Sequence, residues 1–213
     1  MVGERAAVVG RVADRVPAGP AVRVAVDGVD GAGKTVFADE LGAALTARGR
    51  PVLRASVDGF HQPRAVRHRR GRHDPDGYFE DSYDHGRLVG DLLAPLAAGR
   101  PVRTRVFDWR TDEPVGEPAR PVAPGTVLVL DGIFLHRDEL RAYWDFSVFL
   151  EVDFAVSVPR MAARDGSPAD PADPANRRYV EGQRRYLAAC APAGRASVVV
   201  DNTVLARPRL IAR

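Results

Sequence analysis

Lysine is nearly absent from this 213-residue chain: Lys34 stands alone among 31 basic residues, and all the others are arginine. Asparagine occurs only at positions 176 and 202, and isoleucine only at 133 and 211, a bias that points to GC-rich coding. Surface lysine and arginine are both solvated cations, so such a bias exchanges one for the other at little cost. A lysine that survives it marks a place where a planar guanidinium is a poor substitute. Cysteine is as scarce. With Cys190 alone, no intramolecular disulfide can form, which suits a reducing compartment. No apolar run approaches the roughly 20 residues that span a bilayer. Glu4, Arg5, Arg11, Asp14 and Arg15 interrupt any signal-peptide core. The five histidines have no metal-ligand spacing, and Cys190 has no neighbour with which to bind zinc. The expectation is a soluble, cytoplasmic protein with no membrane partner; a homo-oligomer is compatible with it.

What is present describes one α/β domain over 1–213, a length too short for two full domains. Residues 3–16 have helical spacing and form an N-terminal extension (1–20) closed by Pro17 and Pro20. From 21 to 201 apolar strands alternate with helices. Strands are expected at 21–27, 52–57, 102–107, 126–130, 146–152 and 197–201, and helices at 34–48, 85–98, 135–143, 154–164 and 177–189. Residues 62–84 and 111–125 read as irregular, and 167–175 is a short low-complexity piece. This order predicts a mainly parallel, doubly wound sheet between two helical layers.

The surviving lysine lies in Gly28-Val29-Asp30-Gly31-Ala32-Gly33-Lys34-Thr35, which matches G-x-x-x-x-G-K-[ST] at every fixed position, after a strand and before a helix. In such a loop the backbone N–H groups and the helix start face phosphates, the lysine reaches the β- and γ-phosphates, and the hydroxyl ligates Mg²⁺. The predicted nucleotide contacts are therefore Gly28, Asp30, Gly31, Ala32, Gly33, Lys34, Thr35 and Val36, with ATP and Mg²⁺ as the cofactors and a three-layer P-loop NTPase fold around them. Asp131 closes the most apolar strand, the usual place for a carboxylate that orients the metal, so Thr35 and Asp131 form the candidate metal pair. Asp58 ends the second strand, where open α/β sheets bind ligands, and a carboxylate there suits a general base toward an acceptor hydroxyl.

Further segments follow in order: Ser56-Val57-Asp58-Gly59-Phe60-His61, Tyr78-Phe79-Glu80-Asp81-Ser82-Tyr83-Asp84, Val106-Phe107-Asp108-Trp109, Leu128-Val129-Leu130-Asp131-Gly132-Ile133 and Pro159-Arg160-Met161-Ala162-Ala163-Arg164-Asp165. Together with the phosphate loop, over about residues 21–201, they resemble the uridine kinase branch of the P-loop kinases, near pantothenate kinase and phosphoribulokinase. The resemblance implies a phosphotransferase with an alcohol acceptor, a small hairpin on the acceptor side and a helical lid. It makes Asp58 the base and Lys34, Arg160 and Arg164 the charges on the transferring phosphoryl group. His61, Tyr78, Phe79, Asp81, Phe107 and Trp109 become acceptor contacts, Asp81 toward ribose hydroxyls and Phe107 and Trp109 toward a base. A nucleoside is the leading acceptor; pantothenate, nicotinamide riboside or another metabolite are alternatives, as is a non-catalytic nucleotide-binding regulator.

Two residues depart from the family pattern. Asp131 stands where Glu is common, which shortens its reach. Asp112 stands where pyrimidine-specific members place a base-reading His, and an ionised carboxylate cannot donate to a uracil carbonyl. The wording of 27–35 also resembles thymidylate kinases, but those want an Asp-Arg pair after the second strand, and Asp58-Gly59 is not one. A GTPase is excluded, because its Asn-Lys-x-Asp needs a second lysine. His136-Arg137-Asp138 imitates a protein-kinase triplet but has Tyr143 where the metal-binding Asn belongs. Arg64 to Arg72 packs five arginines and His68 into nine residues. That run fits nucleic-acid phosphates, an anionic-substrate funnel or a solvated loop edge. No aromatics interleave with it, so stacking on nucleic-acid bases has no support.

Overall fold

The computed structural model describes residues 3–211. In chain order, α1 (Glu4–Arg15) precedes β1 (Ala21–Gly28), α2 (Lys34–Thr46), β2 (Val52–Ser56) and a 3₁₀ turn, Val57–Phe60. Then come α3 (Arg64–Arg67), α4 (Pro75–Asp81), α5 (His85–Leu88), a π turn over Val89–Leu93, and α6 (Ala94–Ala97). A hairpin of β3 (Phe107–Asp108) and β4 (Glu113–Pro114) leads to β5 (Thr126–Gly132), α7 (Asp138–Arg141) and β6 (Phe146–Glu151). The chain ends through α8 (Phe154–Asp165), α9 (Arg177–Cys190), α10 (Pro192–Arg195), β7 (Val198–Asp201) and β8 (Arg209–Ile211).

The main sheet runs β2-β5-β1-β6-β7-β8. β1 is central: its Val24 lies opposite Val129 on β5 and Phe146 on β6, both in parallel register. Only β8 is antiparallel, against β7. Strand alternation sorts the apolar side chains into two buried layers. Val24, Val26, Val129, Val148 and Leu150 meet Phe37, Leu41 and Leu45 of α2 and Val8, Val9 and Val12 of α1. Ala25, Leu128, Leu130, Phe149 and Val199 face the other way, onto Leu88, Leu92, Leu96 and Tyr186. The result is the three-layer α/β P-loop NTPase fold, with α1 sharing one core with α2. No helix among the described residues is long and apolar enough to cross a membrane.

Four expectations about secondary structure need correction. Residues 62–84 are not irregular: Asp74 accepts from the Gly77 amide at 2.6 Å and Pro75 opens the first turn, so α4 starts from a capped, preset geometry. Residues 102–106 are not a strand, and only Phe107 of the expected segment enters β3: Val102 makes an isolated bridge to Arg120, and the Arg103 amide goes to the Asp91 carbonyl. Pro95 has no amide to give that carbonyl, which explains both the π turn and the stray bond. The helix expected at 135–143 shrinks to α7. α10 and β8 lie outside every expected element, and β4 sits inside the expected loop.

Leu41 is fully buried between α2 and the sheet. Leu41→Ala is expected to lower unfolding free energy by ~2–5 kcal/mol, measured by urea denaturation with an unchanged m-value.

Candidate active site

Three strand ends and two helix starts converge beside β1. The loop leaving β1 uses Gly31 and Gly33 at φ of 73° and 88°, and a Cβ on Gly31 would lie 2.1 Å from the Ser157 carbonyl oxygen of α8. The glycine is thus required by conformation and by contact together. Gly33 caps α2 without a side-chain bond, and no acidic residue lies in its first turn, so the helix start keeps amides and positive dipole for an anion. Asn202, fully buried at the end of β7, donates to the Ala32 carbonyl at 2.7 Å and holds the loop from beneath.

Lys34 Nζ donates to the Val29 carbonyl at 2.8 Å, leaving two ammonium hydrogens for phosphates. The Thr35 hydroxyl donates to Asp131 Oδ2 at 2.8 Å. Asp131 is nearly buried, and its Oδ1 is held by Arg54 at 2.9 Å. Arg160 reaches into the same cleft while donating to the Asn202 and Thr203 carbonyls. Arg164 lines it too, paired at 2.6 Å only with its neighbour Asp165. This donor cleft encloses about 500 Å³ and is lined by Asp30, Gly31, Gly33, Lys34, Thr35 and Val36 of the loop. Gly28 and Ala32 lie beneath it rather than in its wall, packed against Leu150 and Asn202.

A second cleft of about 420 Å³ shares Asp30, Asp58, Tyr83 and Arg164 with the first. His61, Tyr78 and Trp109 line it. Asp58 stands where the two meet. Its side chain keeps 57% of its surface open to the cleft, and desolvation within that cleft raises its carboxyl above the ordinary value. Asp131 and Asp30 push the same way, against the Lys34 charge and a 3.1 Å hydrogen bond from the Tyr83 hydroxyl. His61 stacks on Tyr83 with ring centroids 4.5 Å apart, its Nε2 3.8 Å from Asp58. Burial, with the Arg67 charge, lowers His61 to about 3, so the ring is neutral.

Phe79, Asp81 and Phe107 do not line this cleft. Asp81 is buried with its oxygens on Arg69, at 2.5 Å, and Arg70, at 3.0 Å. Phe79 packs against Phe134 and Tyr186 beneath the Arg137 guanidinium, and Phe107 sits in the core. Asp112 does not line it either. At φ 62° it accepts from the Arg64 amide at 2.8 Å and faces Arg67 at 3.4 Å, tying the hairpin to α3.

The residue that sequence reasoning overlooked is Asp27. Fully buried, it accepts from the Gly28, Leu135 and His136 amides and the Tyr186 hydroxyl, and faces His136 Nδ1 at 2.7 Å. An acid closing an otherwise apolar strand was its signal. A separate, mostly apolar cavity of about 270 Å³ near α10 has Glu151 as its one ionisable lining group and offers no comparable chemistry. Gly31→Ala, which must part the loop from α8, is expected to weaken nucleotide binding more than ~10-fold, or ~1.4 kcal/mol. Calorimetry on a variant with unchanged circular dichroism measures this.

The fold has counterparts among known proteins. In fold, the chain is similar to a possible uridine kinase from Bacillus stearothermophilus, with TM-score 0.72, 23% identity, and 92% and 96% of the two chains covered. It is also similar to a protein provisionally named a fructose transport system kinase from Silicibacter sp. TM1040, with TM-score 0.65, 26% identity, and 87% and 95% covered. Among curated proteins it is 27% identical over 129 residues to the inorganic pyrophosphatase TTM2 of Arabidopsis thaliana. That match takes in 60% of this chain but spans only 17% of the plant protein. The sequence profile of the phosphoribulokinase / uridine kinase family matches residues 23–168. That match takes in most of the chain, which belongs to the phosphoribulokinase / uridine kinase family of P-loop kinases.

Proposed function

We propose that the protein transfers the γ-phosphoryl group of ATP, with Mg²⁺, to a hydroxyl of a small metabolite of about nucleoside size. The observation that carries this reading is Asp58, one carboxylate facing both the phosphate-loop cleft and the second cleft. The acceptor oxygen forms a new bond to the γ-phosphorus while the bond to the β–γ bridging oxygen breaks. ADP leaves with that electron pair, and the hydroxyl proton passes to Asp58. A carboxyl whose pKa is raised by desolvation accepts a proton more readily than an ordinary one. Tyr83 orients it and stays protonated, because burial and the nearby Asp58 charge raise its hydroxyl. Neutral His61 cannot compete for Asp58 as a cation would.

The residues present fit a magnesium ion. Mg²⁺ takes one or two protein oxygens and completes its shell with water and phosphate; the Thr35 hydroxyl and Asp131 Oδ2 lie 2.8 Å apart beside the loop. Arg54 occupies Oδ1, so Asp131 has one oxygen for this role. When bound, the ion neutralises phosphate charge. Lys34, Arg160 and Arg164 supply further positive charge around the same groups.

Asp58→Asn is expected to lower kcat by ~10²-fold or more with ATP affinity nearly intact; loss of ATP affinity alone would make Asp58 structural and favour a nucleotide-binding regulator. In the wild type, activity falls as pH drops through the raised pKa of Asp58, so the acid limb lies above the ordinary carboxylate range of about 4. Tyr83→Phe removes a bond that favours the charged form. The limb is expected to move to still higher pH, and a stationary limb counts against Asp58 as the base.

A further inference from the structure

The second cleft does not end at Asp58. Past Trp109 it continues into a recess of about 720 Å³ that shares Arg67, His68, Trp109, Arg178 and Tyr179 with it. Arg64, Arg67, Arg72, Arg110 and Arg178 line this recess, and no Asp or Glu does. Many of the protein's arginines are paired with carboxylates, as in Arg23–Asp145, Arg54–Asp131 and Arg185–Asp76. Here the pattern changes. Among the described residues Arg64, Arg72 and Arg110 form no salt bridge. Arg67 has only the 3.4 Å approach of Asp112, and its Nε is buried without a hydrogen-bond partner.

Arg178 is the most telling. It is 7% exposed and donates to the main-chain carbonyls of Arg67, Arg72 and Asp74, at 3.4, 2.8 and 3.5 Å, and among the described residues it forms no salt bridge. The Tyr78 ring and the more distant Asp74 charge offset its own charge only in part. A buried cation without a paired carboxylate is costly, and like charges gathered around it add repulsion. The field is felt by His68, lowered by partial burial and by Arg178, Arg67, Arg72 and Arg64. An anion entering the recess removes these penalties at once, and phosphate or carboxylate matches the guanidinium fork.

We infer that this arginine recess binds an anionic group, phosphate or carboxylate, carried by the acceptor, whose hydroxyl then lies at Asp58. The inference rests on the kinase reading and narrows it: the favoured acceptor is an anion at its far end rather than a neutral nucleoside. Two features place the group on the acceptor. The recess opens into the cleft that holds Asp58, and it is separated from the phosphate loop, none of whose residues lines it. The run from Arg64 to Arg72 thus acquires a role through Arg64, Arg67 and Arg72, while Arg69 and Arg70 turn away to Asp81.

The test uses the full chain in two measurements. Acceptor-dependent ADP release is scored for matched pairs on one scaffold: sugar and sugar phosphate, polyol and hydroxy acid, nucleoside and nucleotide with a free hydroxyl. Inorganic phosphate is titrated calorimetrically into protein saturated with a non-hydrolysable ATP analogue, so that the phosphate loop is occupied. Both are repeated on Arg64→Ala/Arg72→Ala, at two exposed positions. The expected result is a ~10²-fold preference in kcat/KM for the anionic member of a pair. In the variant, KM for that member is expected to rise ~10-fold or more at constant kcat, with phosphate binding weakened alike. Equal use of neutral and anionic acceptors overturns the inference and leaves the kinase reading intact. If phosphate binding is nonetheless lost in the variant, the recess holds a free anion as an effector, and the acceptor assignment is again overturned. ADP release that no acceptor of either charge stimulates overturns the kinase reading and this inference with it.

Discussion

The buried carboxylate of Asp27 is the constraint on which the site depends. Burying a carboxyl group away from water is costly unless its oxygens are satisfied, and here three amides, a tyrosine hydroxyl and an imidazole converge on it. Those partners come from distant parts of the chain. Gly28 begins the phosphate loop, Leu135 and His136 follow β5, and Tyr186 belongs to α9. The start of the loop, the turn beyond the Asp131 strand and the helix bearing Arg178 are therefore positioned by one group. Any of them that moved away would leave a buried polar atom without its partner, so Asp27 ties the start of the phosphate loop to the rest of the core.

Around that centre the two halves of the site are built differently. The donor half rests on strand ends and helix starts, with Thr35 against Asp131, Asn202 beneath Ala32, and Gly31 packed on α8. The acceptor half lies off the main sheet, on α3, α4, the β3–β4 hairpin and the start of α9. Charge follows the same division. Arg54 faces carboxylates and Arg160 main-chain carbonyls on the donor side, whereas the acceptor-side arginines surround open space.

Legibility in the sequence follows this division. The central strands β1, β5 and β6, largely buried, appear as mainly apolar runs, and the glycine loop has fixed spacing set by phosphate geometry. Lys34, Thr35, Asp58 and Asp131 could accordingly be located from the chain alone. α4 was hidden because its signal is the pair Asp74-Pro75 rather than apolar periodicity. Val102 to Phe107 alternates like a strand, but its backbone partners are the Asp91 carbonyl and Arg120, which local pattern does not reveal. Phe79, Asp81 and Phe107 lie in the right segments yet turn into the protein, since a motif specifies backbone position and not the direction of a side chain. Asp27 and Arg178 gain their meaning only from groups more than 100 residues away.

Asp112 holds the hairpin to α3 through the Arg64 amide and the Arg67 guanidinium, and both segments wall the acceptor side. None of this attachment passes through the sheet or the phosphate loop. On the proposed reading, a change in the hairpin and its neighbouring arginines alters which acceptor is taken. The phosphate loop, held by other contacts, keeps its own geometry through such a change.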